Sequence, residues 1–333
     1  MAYTGGYVDL GRTGLKVSRV AFGCGFRGVH SIGDAVYAIE NAIGEGVNLI
    51  DCANIYKLTN GEFSEKALGL AVRRKRDSVV ITSKYGGEGG GASPSNVVEQ
   101  LERSLERIGT DYIDIYFLHA PDIGTAYEEI VCSLDRLCKE GKIRCYGLCN
   151  HSAWQVTYMD DFAISNGLNR IGVVQNPYSL LNRGLESEMI PACSFKDIGV
   201  MTYSPIAAGL LSGAFANGGK APEKSTWNYE ALYRKYFEKV FPGRIERIVN
   251  EVYRIAESNG TSSVCVAVSW ILRNEGIDSV IAGADSSEEF KAYLDGASFV
   301  LSDDDFERLE SLSFRMNEVF SRPDVKKLVE KMN

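Results

Sequence analysis

The sequence lacks any apolar run approaching the roughly 20 residues that a membrane-spanning helix needs. It also lacks a basic tract. No cluster exceeds Arg73–Arg76, and 36 Lys and Arg stand against 44 Asp and Glu. The net charge of −8 and a pI near 5.2 repel phosphate backbones, so neither nucleic acid nor a membrane is an expected partner. The opening Met1-Ala-Tyr-Thr-Gly-Gly-Tyr7 has no basic region followed by an apolar core. No secretory leader is therefore expected, and the cytoplasm is the expected compartment. Histidine is scarce, limited to His30, His119 and His151. The eight cysteines (Cys24, Cys52, Cys132, Cys138, Cys145, Cys149, Cys193 and Cys265) contain no C-x-x-C pair. A closed zinc site needs paired ligands, so no metal is expected, and the cysteines read as buried free thiols in a reducing cell.

What remains is a chain of 333 residues, 45% hydrophobic and 24% charged, enough for a sizeable core. Short β-rich runs alternate with helical patterns, the signature of parallel βαβ units. Residues 7–17 read as a small hairpin turning at Gly11–Gly14. The strand candidates are 20–23, 47–51, 78–84, 113–119, 143–149, 171–175, 200–204 and 279–282. Helices are expected between them at 34–45, 63–74, 94–108, 125–140, 152–165 and 184–196, and from 287. Pro94 opens one helix and Gly109 stops it. Thr125-x-x-Glu128 reads as a capping box for the next. Eight strands, each followed by a helix, close most simply as a (β/α)₈ barrel over about 18–300. One domain spanning 1–333 is expected, with an insert at 207–244 and a C-terminal extension over about 301–333.

In such a barrel the active site gathers at the C-terminal strand ends. Asp51, Lys84, His119, Asn150, Gln175 and Ser204 fall there, with Tyr56 on the loop after Asp51. Each alone has a structural use, as a cap, a snorkelling cation or a hydrogen-bonded core group. Asp51, Lys84 and His119 on successive strands form a set with definite chemistry. A tyrosine near pKa 10 is a weak acid at neutral pH. A lysine beside it lowers that value, and a carboxylate holds the lysine charged. Histidine can hydrogen-bond a substrate carbonyl while Tyr56 donates a proton to it. No side chain supplies a hydride, so a nicotinamide across the barrel mouth is implied. Ser204–Gly213 after the seventh strand, and Gly283-Ala-Asp-Ser-Ser287 before the last helix, suit a pyrophosphate. No G-x-G-x-x-G follows an early strand, which leaves a Rossmann domain unsupported.

The strings Asn48-Leu-Ile-Asp51-Cys-Ala-Asn-Ile-Tyr56, Ile81-Thr-Ser-Lys84, Phe117-Leu-His119-Ala-Pro-Asp122 and Lys139-Glu-Gly-Lys-Ile-Arg-Cys-Tyr-Gly-Leu-Cys-Asn150 come in that order. Val174-Gln175-Asn-Pro-Tyr178 and Thr202-Tyr-Ser-Pro205 follow. Over roughly residues 7–315 the chain resembles the aldo/keto reductase superfamily. The resemblance implies a (β/α)₈ barrel and NAD(P)H-dependent reduction of a carbonyl substrate. It places the catalytic tetrad on Asp51, Tyr56, Lys84 and His119, with Tyr56 as general acid. Asn150 and Gln175 would bind the cofactor carboxamide, and Tyr203 would stack on the nicotinamide. Gly23, Cys149, Ser204, Pro205, Ile206, Gly209, Leu210, Gly283, Asp285 and Glu289 complete the cofactor candidates.

Three departures from the family pattern stand out. Cys149 replaces a serine before Asn150, and Cys52 replaces a threonine after Asp51. Where the family commonly carries Lys or Arg toward the 2′-phosphate of NADPH, this chain has Gly283, Asp285 and Glu289. Carboxylates repel a phosphate and accept from a ribose hydroxyl, which leans the expectation toward NADH. Phe26, Arg27, His30 and Trp227 are the substrate-selecting candidates. The insert's aromatic stripe, Tyr229, Tyr233, Tyr236 and Phe237, either packs on the barrel or a partner subunit or walls a substrate pocket. Two other functions are compatible with such a chain: a cofactor-sensing regulatory subunit of a membrane channel, and a Schiff-base aldolase using Lys84. No Cys follows Cys265, so no iron–sulfur centre is expected.

Overall fold

A computed structural model describes residues 5–86, 91–218, 221, 223, 225, 227 and 231–316, with the backbone alone at 231–233. Eight parallel strands form the centre: β3 (Val20–Gly23), β4 (Leu49–Asp51), β5 (Val80–Tyr85), β6 (Ile113–Leu118), β7 (Ile143–Cys149), β8 (Val173–Pro177), β9 (Gly199–Tyr203) and β10 (Ser279–Ala282). They pair in chain order, and β10 closes the ring by pairing with both β3 and β9. This is the (β/α)₈ barrel expected, with strand limits shifted by up to two residues. Most of the strands are buried along their length because helices cover their outer face and side chains fill the inside.

The surrounding helices are α1 (Ile32–Gly44), α2 (Ser64–Val72), α3 (Pro94–Ile108), α4 (Tyr127–Lys139), α5 (Ala153–Ser165), α6 (Met189–Lys196), α7 (Ala231–Val240), α8 (Glu246–Ser258), α9 (Ser263–Leu272), α10 (Ser287–Ser298) and α11 (Asp303–Ser313). Local chemistry sets their ends. Ser31 Oγ accepts from Asp34 N at 3.1 Å to open α1. Pro94 starts α3, and Gly109 ends it with a left-handed φ of 73°. The capping box expected at Thr125 does not form: α4 begins after Ala126, and the Thr125 hydroxyl donates to Asp122 Oδ2 at 2.8 Å instead. A box missed in the sequence opens α5, where Gln155 Oε1 accepts from Ser152 N at 2.9 Å.

The N-terminal hairpin, β1 (Tyr7–Asp9) with β2 (Lys16–Ser18), brings Leu10, Leu15 and Val17 into the inner core with Ala21, Leu49, Val80, Ile115, Phe117 and Met201. The barrel is therefore a packed column stoppered at its N-terminal end. In the insert after β9 the described aromatics pack against the core. Trp227 is 1% exposed, its Nε1 donates to the Ala208 carbonyl at 3.1 Å, and Phe237 and Phe241 stack at 4.5 Å. Of the stripe, Tyr236 and Phe237 pack inward. Tyr229, the Tyr233 side chain and the tail past 316 lie outside the described residues. Among the described residues no helix is long and apolar enough to cross a membrane, and no group of three or more potential ligands could hold a metal. All eight cysteines are free, but only five are buried: Cys138 and Cys145 are half-buried and Cys132 is exposed.

Candidate active site

Strand side chains alternate between faces. Leu49, Val80, Phe117, Val173 and Met201 point into the barrel core. Two positions on from Leu49 and Val173 come Asp51 and Gln175, and two on from Phe117 and Met201 come His119 and Tyr203. Four positions on from Val80 comes Lys84. The same period that fills the core thus lifts polar groups to the inner rim at the C-terminal end.

Asp51 is the hub. It is 3% exposed, and Lys84 Nζ donates to both of its oxygens at 2.8 and 2.7 Å. Thr82 Oγ1 at 2.7 Å and Gln175 Nε2 at 2.8 Å also donate to Asp51 Oδ1. Lys84, fully buried, gives its remaining proton to the Cys52 carbonyl at 2.7 Å. Burial opposes the ammonium charge, but Asp51 outweighs it and holds the Lys84 pKa above its ordinary value. The pair is locked as an ion pair.

Tyr56 is partly exposed above this pair, with Lys84 Nζ 5.0 Å from its ring centroid and the His119 ring edge-on at 5.9 Å. Its pKa is pushed up to about 12, chiefly by burial, with Lys84 pulling it down and Asp51 pushing it further up. Lys84 lowers the Tyr56 pKa as expected, but desolvation wins and the phenol is less acidic than a free one. Tyr56 therefore keeps its proton at neutral pH. His119 is lowered to about 4 by burial and then by Lys84, so its ring is neutral. Its Nδ1 is buried without a partner. Cys149 lies buried by the same group, its thiol raised by burial and neutral.

The cofactor candidates occupy the rim unevenly. Asn150 has a left-handed φ of 61°, donates through Nδ2 to the His119 carbonyl at 2.9 Å and accepts from Tyr203 Oη at 2.7 Å. Gln175 reaches inward to Asp51, a contact across 124 positions that no local pattern signals. In the loop after β9, Ser204, Ala207 and Ala208 hold φ values of 57°, 48° and 53°, followed by Gly209 at 94°. Such a run of left-handed residues is strained, and strain of this kind persists at binding loops. Pro205 and Leu210 are buried beneath it, while Ile206 is partly exposed. Gly23 has a packing reason: a Cβ there would lie 2.8 Å from Ile281 Cγ2. Gly283 has open space where its side chain would be.

Asp285 is already engaged. Its two oxygens accept from Arg27 N and Gly28 N, both at 2.8 Å, stapling the loop after β3 to the loop after β10. Glu289 Oε2 accepts from Asp285 N at 3.0 Å. These backbone bonds fix both carboxylates in place, and each oxygen keeps a second lone pair for a further donor. Among the substrate candidates, Phe26 is buried against Phe22 at 6.0 Å and Trp227 is buried in the insert. Arg27 and His30 are exposed, with His30 Nδ1 3.0 Å from Thr59 Oγ1. Thr82 and the Cys52 carbonyl are site members the sequence reading missed. Thr82 shared the inward period with Lys84, two residues on.

A separate cavity of about 640 Å³ lies on the outside of the barrel between α6 and α9, lined in part by Tyr178, Arg183 and Trp270. Its polar groups serve one another, Arg183 bridging Glu186 and Glu310 at 2.7 and 2.8 Å.

The chain is 33% identical over 291 residues to a probable voltage-gated potassium channel subunit beta of Oryza sativa subsp. japonica, covering 84% of this chain and 87% of that one. It is 31% identical over 291 residues, with the same coverage, to the probable voltage-gated potassium channel subunit beta of Arabidopsis thaliana. The model of the aldo/keto reductase family matches residues 28–313. By that match, and with a barrel of this form beneath it, the chain belongs to the aldo/keto reductase family.

Proposed function

We propose that the protein reduces an aldehyde or ketone to an alcohol with NAD(P)H, Tyr56 acting as general acid. The observation that carries this reading is the buried Asp51–Lys84 pair beneath a protonated Tyr56 and a neutral His119. The neutral His119 imidazole offers an N–H that orients the carbonyl oxygen. Tyr56 holds its proton until that oxygen gains charge and then releases it. Lys84 stabilises the phenolate left behind, and Asp51 keeps Lys84 charged and in place. A bound nicotinamide supplies the hydride.

The residues present fit such a group. Asn150 offers a carboxamide beside Tyr203, and Gln175 offers a second one below. The strained Ser204–Gly209 arc and the Ser286-capped start of α10 suit a pyrophosphate. Asp285 and Glu289, carboxylates in the loop where the family commonly carries a cation toward the 2′-phosphate, support NADH over NADPH. Mixing the protein with either reduced cofactor and a panel of carbonyls, while following nicotinamide absorbance, tests the reading. Turnover is expected to need a carbonyl, and Tyr56→Phe should lower kcat by about 10²–10⁴-fold with cofactor affinity kept. Carbonyl-dependent turnover unaltered in Tyr56→Phe would sink it.

A second reading is favoured by the names of the two relatives: a cofactor-sensing subunit that regulates a channel. Very slow turnover together with a stable complex with a membrane partner would support it. The Schiff-base reading is opposed by the same geometry, because all three Lys84 protons are committed and the amine stays charged. Borohydride trapping of a substrate on Lys84 would be needed to revive it.

A further inference from the structure

We propose that Tyr127, Trp154 and Tyr158, with Asp122 and Glu128, form a second ligand site, for a quaternary ammonium group. Trp154 and Tyr158 sit four residues apart on α5 and so share one face of that helix. Tyr127, from the first turn of α4, meets both, with ring centroids 6.1 Å away in each case and ring planes inclined at 60° and 59°. Tyr127 is partly buried against the core, while the two α5 rings are exposed. Trp154 is 61% exposed and Tyr158 47%, which is unusual for residues that normally bury 150–250 Å². With Asp122, Thr125 and Glu128 they line a concavity of about 410 Å³.

Hydrogen bonds fix the walls. Gln155 Nε2 donates to Tyr127 Oη at 2.7 Å, and Tyr158 Oη donates to Glu128 Oε1. Asp122 accepts from Ala92 N at 2.7 Å, from Gly124 N at 2.8 Å and from Thr125 Oγ1 at 2.8 Å. These bonds hold both carboxylates below their ordinary pKa, so both are charged at neutral pH. Among the described residues no Lys or Arg forms an ion pair with either. Three aromatic rings and two carboxylates without an ion-pair partner line one hollow and make a field complementary to a cation. A primary ammonium or guanidinium surrenders strong hydrogen bonds to water on entering such a site. A quaternary ammonium has none to surrender and presents methyl groups to the rings.

The chain's other two tryptophans, Trp227 and Trp270, are 1% and 2% exposed, so a ligand quenching exposed indole reports on Trp154. The test uses the full chain with choline, with a peptide bearing trimethyllysine, and with 3,3-dimethylbutanol, the uncharged counterpart of choline. Saturable quenching by a cationic probe is expected, with the neutral alcohol at least about tenfold weaker. Glu128→Gln should weaken cation binding several-fold, and calorimetry on Trp154→Ala should show it lost. Trp154 is exposed and Glu128 is partly exposed, so folding is expected to survive, and an unchanged circular dichroism melt verifies that. If the peptide alone binds, the source is a modified protein; if choline binds as well, it is a free ammonium compound. Equal binding of the neutral alcohol, no saturation by either cation, or undiminished binding in Trp154→Ala overturns the proposal.

Discussion

Replacing Asp51 by Asn removes the charge that stabilises Lys84 while leaving the shape nearly intact. In the native site Asp51 accepts four hydrogen bonds, two from Lys84 and one each from Thr82 and Gln175. An Asn carries one oxygen and one NH₂, so at least one of those donors would face another donor. Lys84, fully buried, would keep its charge without a counter-ion or shed its proton. Breaking one half of a buried pair in this way costs about 3–5 kcal/mol. For 333 residues the unfolding entropy near Tm is about 0.7 kcal/mol/K, so Tm should fall by about 4–7 °C. Replacing both partners by apolar or neutral groups of similar size restores much of that loss. Asp51→Asn with Lys84→Met should therefore melt higher than Asp51→Asn alone, yet turn over no carbonyl. Differential scanning fluorimetry on the wild type, both single variants and the double variant reads the cycle. A fall under about 1 °C for Asp51→Asn, or a double variant no more stable than that single one, would refute the buried-pair account.

Three further outcomes follow from the same geometry. Asp285→Ser removes both a carboxylate and the staple to Arg27 and Gly28. The NADPH-to-NADH affinity ratio, read by cofactor fluorescence, should rise by about fivefold as the nearby charge is lost, and an unchanged ratio contradicts the charge argument. His151, 2% exposed and lowered to about 4 by burial, is neutral in the native chain but protonates near pH 6.5 once unfolded. The unfolded state then binds the extra proton, so stability is full above about pH 6.5 and declines as pH falls toward 4, by about 3 kcal/mol for this group. Urea midpoints across that range should track this, and His151→Gln should flatten the slope. Gly69→Ala would put a Cβ 2.1 Å from the Ile108 carbonyl oxygen where α2 meets α3, and urea unfolding should record a loss of about 1–3 kcal/mol.

The barrel was legible because its strands are short runs of Val, Ile, Leu and Phe, buried on both faces and separated by helices with clear caps or stops, such as Pro94 and Gly109. The rim residues were legible because each ends a strand. Other features were not, since they depend on neighbours far along the chain. Gln175 meeting Asp51, and Asp285 holding the backbone of Arg27 and Gly28, are hydrogen bonds that no local pattern encodes. Phe26 and Trp227 read as possible pocket walls because an aromatic near a loop looks alike whether it faces solvent or core. The net effect on Tyr56 needed a balance between burial and one lysine, and only the folded surroundings set the first of these. Thr125 had the right spacing for a cap, but Asp122 competed successfully for its hydroxyl.

The ring closure of the barrel carries a consequence for synthesis. β3 pairs on one side with β4, which follows it closely, but on its other side with β10. Ser279 Oγ donates to the Ser18 carbonyl across 261 positions of chain. At about 5–20 residues per second, a ribosome takes roughly 13–50 s to make the strand that covers this edge. Until then the strand Val20–Gly23 lacks its partner on that apolar edge. The nascent chain during that interval is the state in which edge-to-edge association competes with folding, and a chaperone that shields β3 would act before β10 has left the exit tunnel.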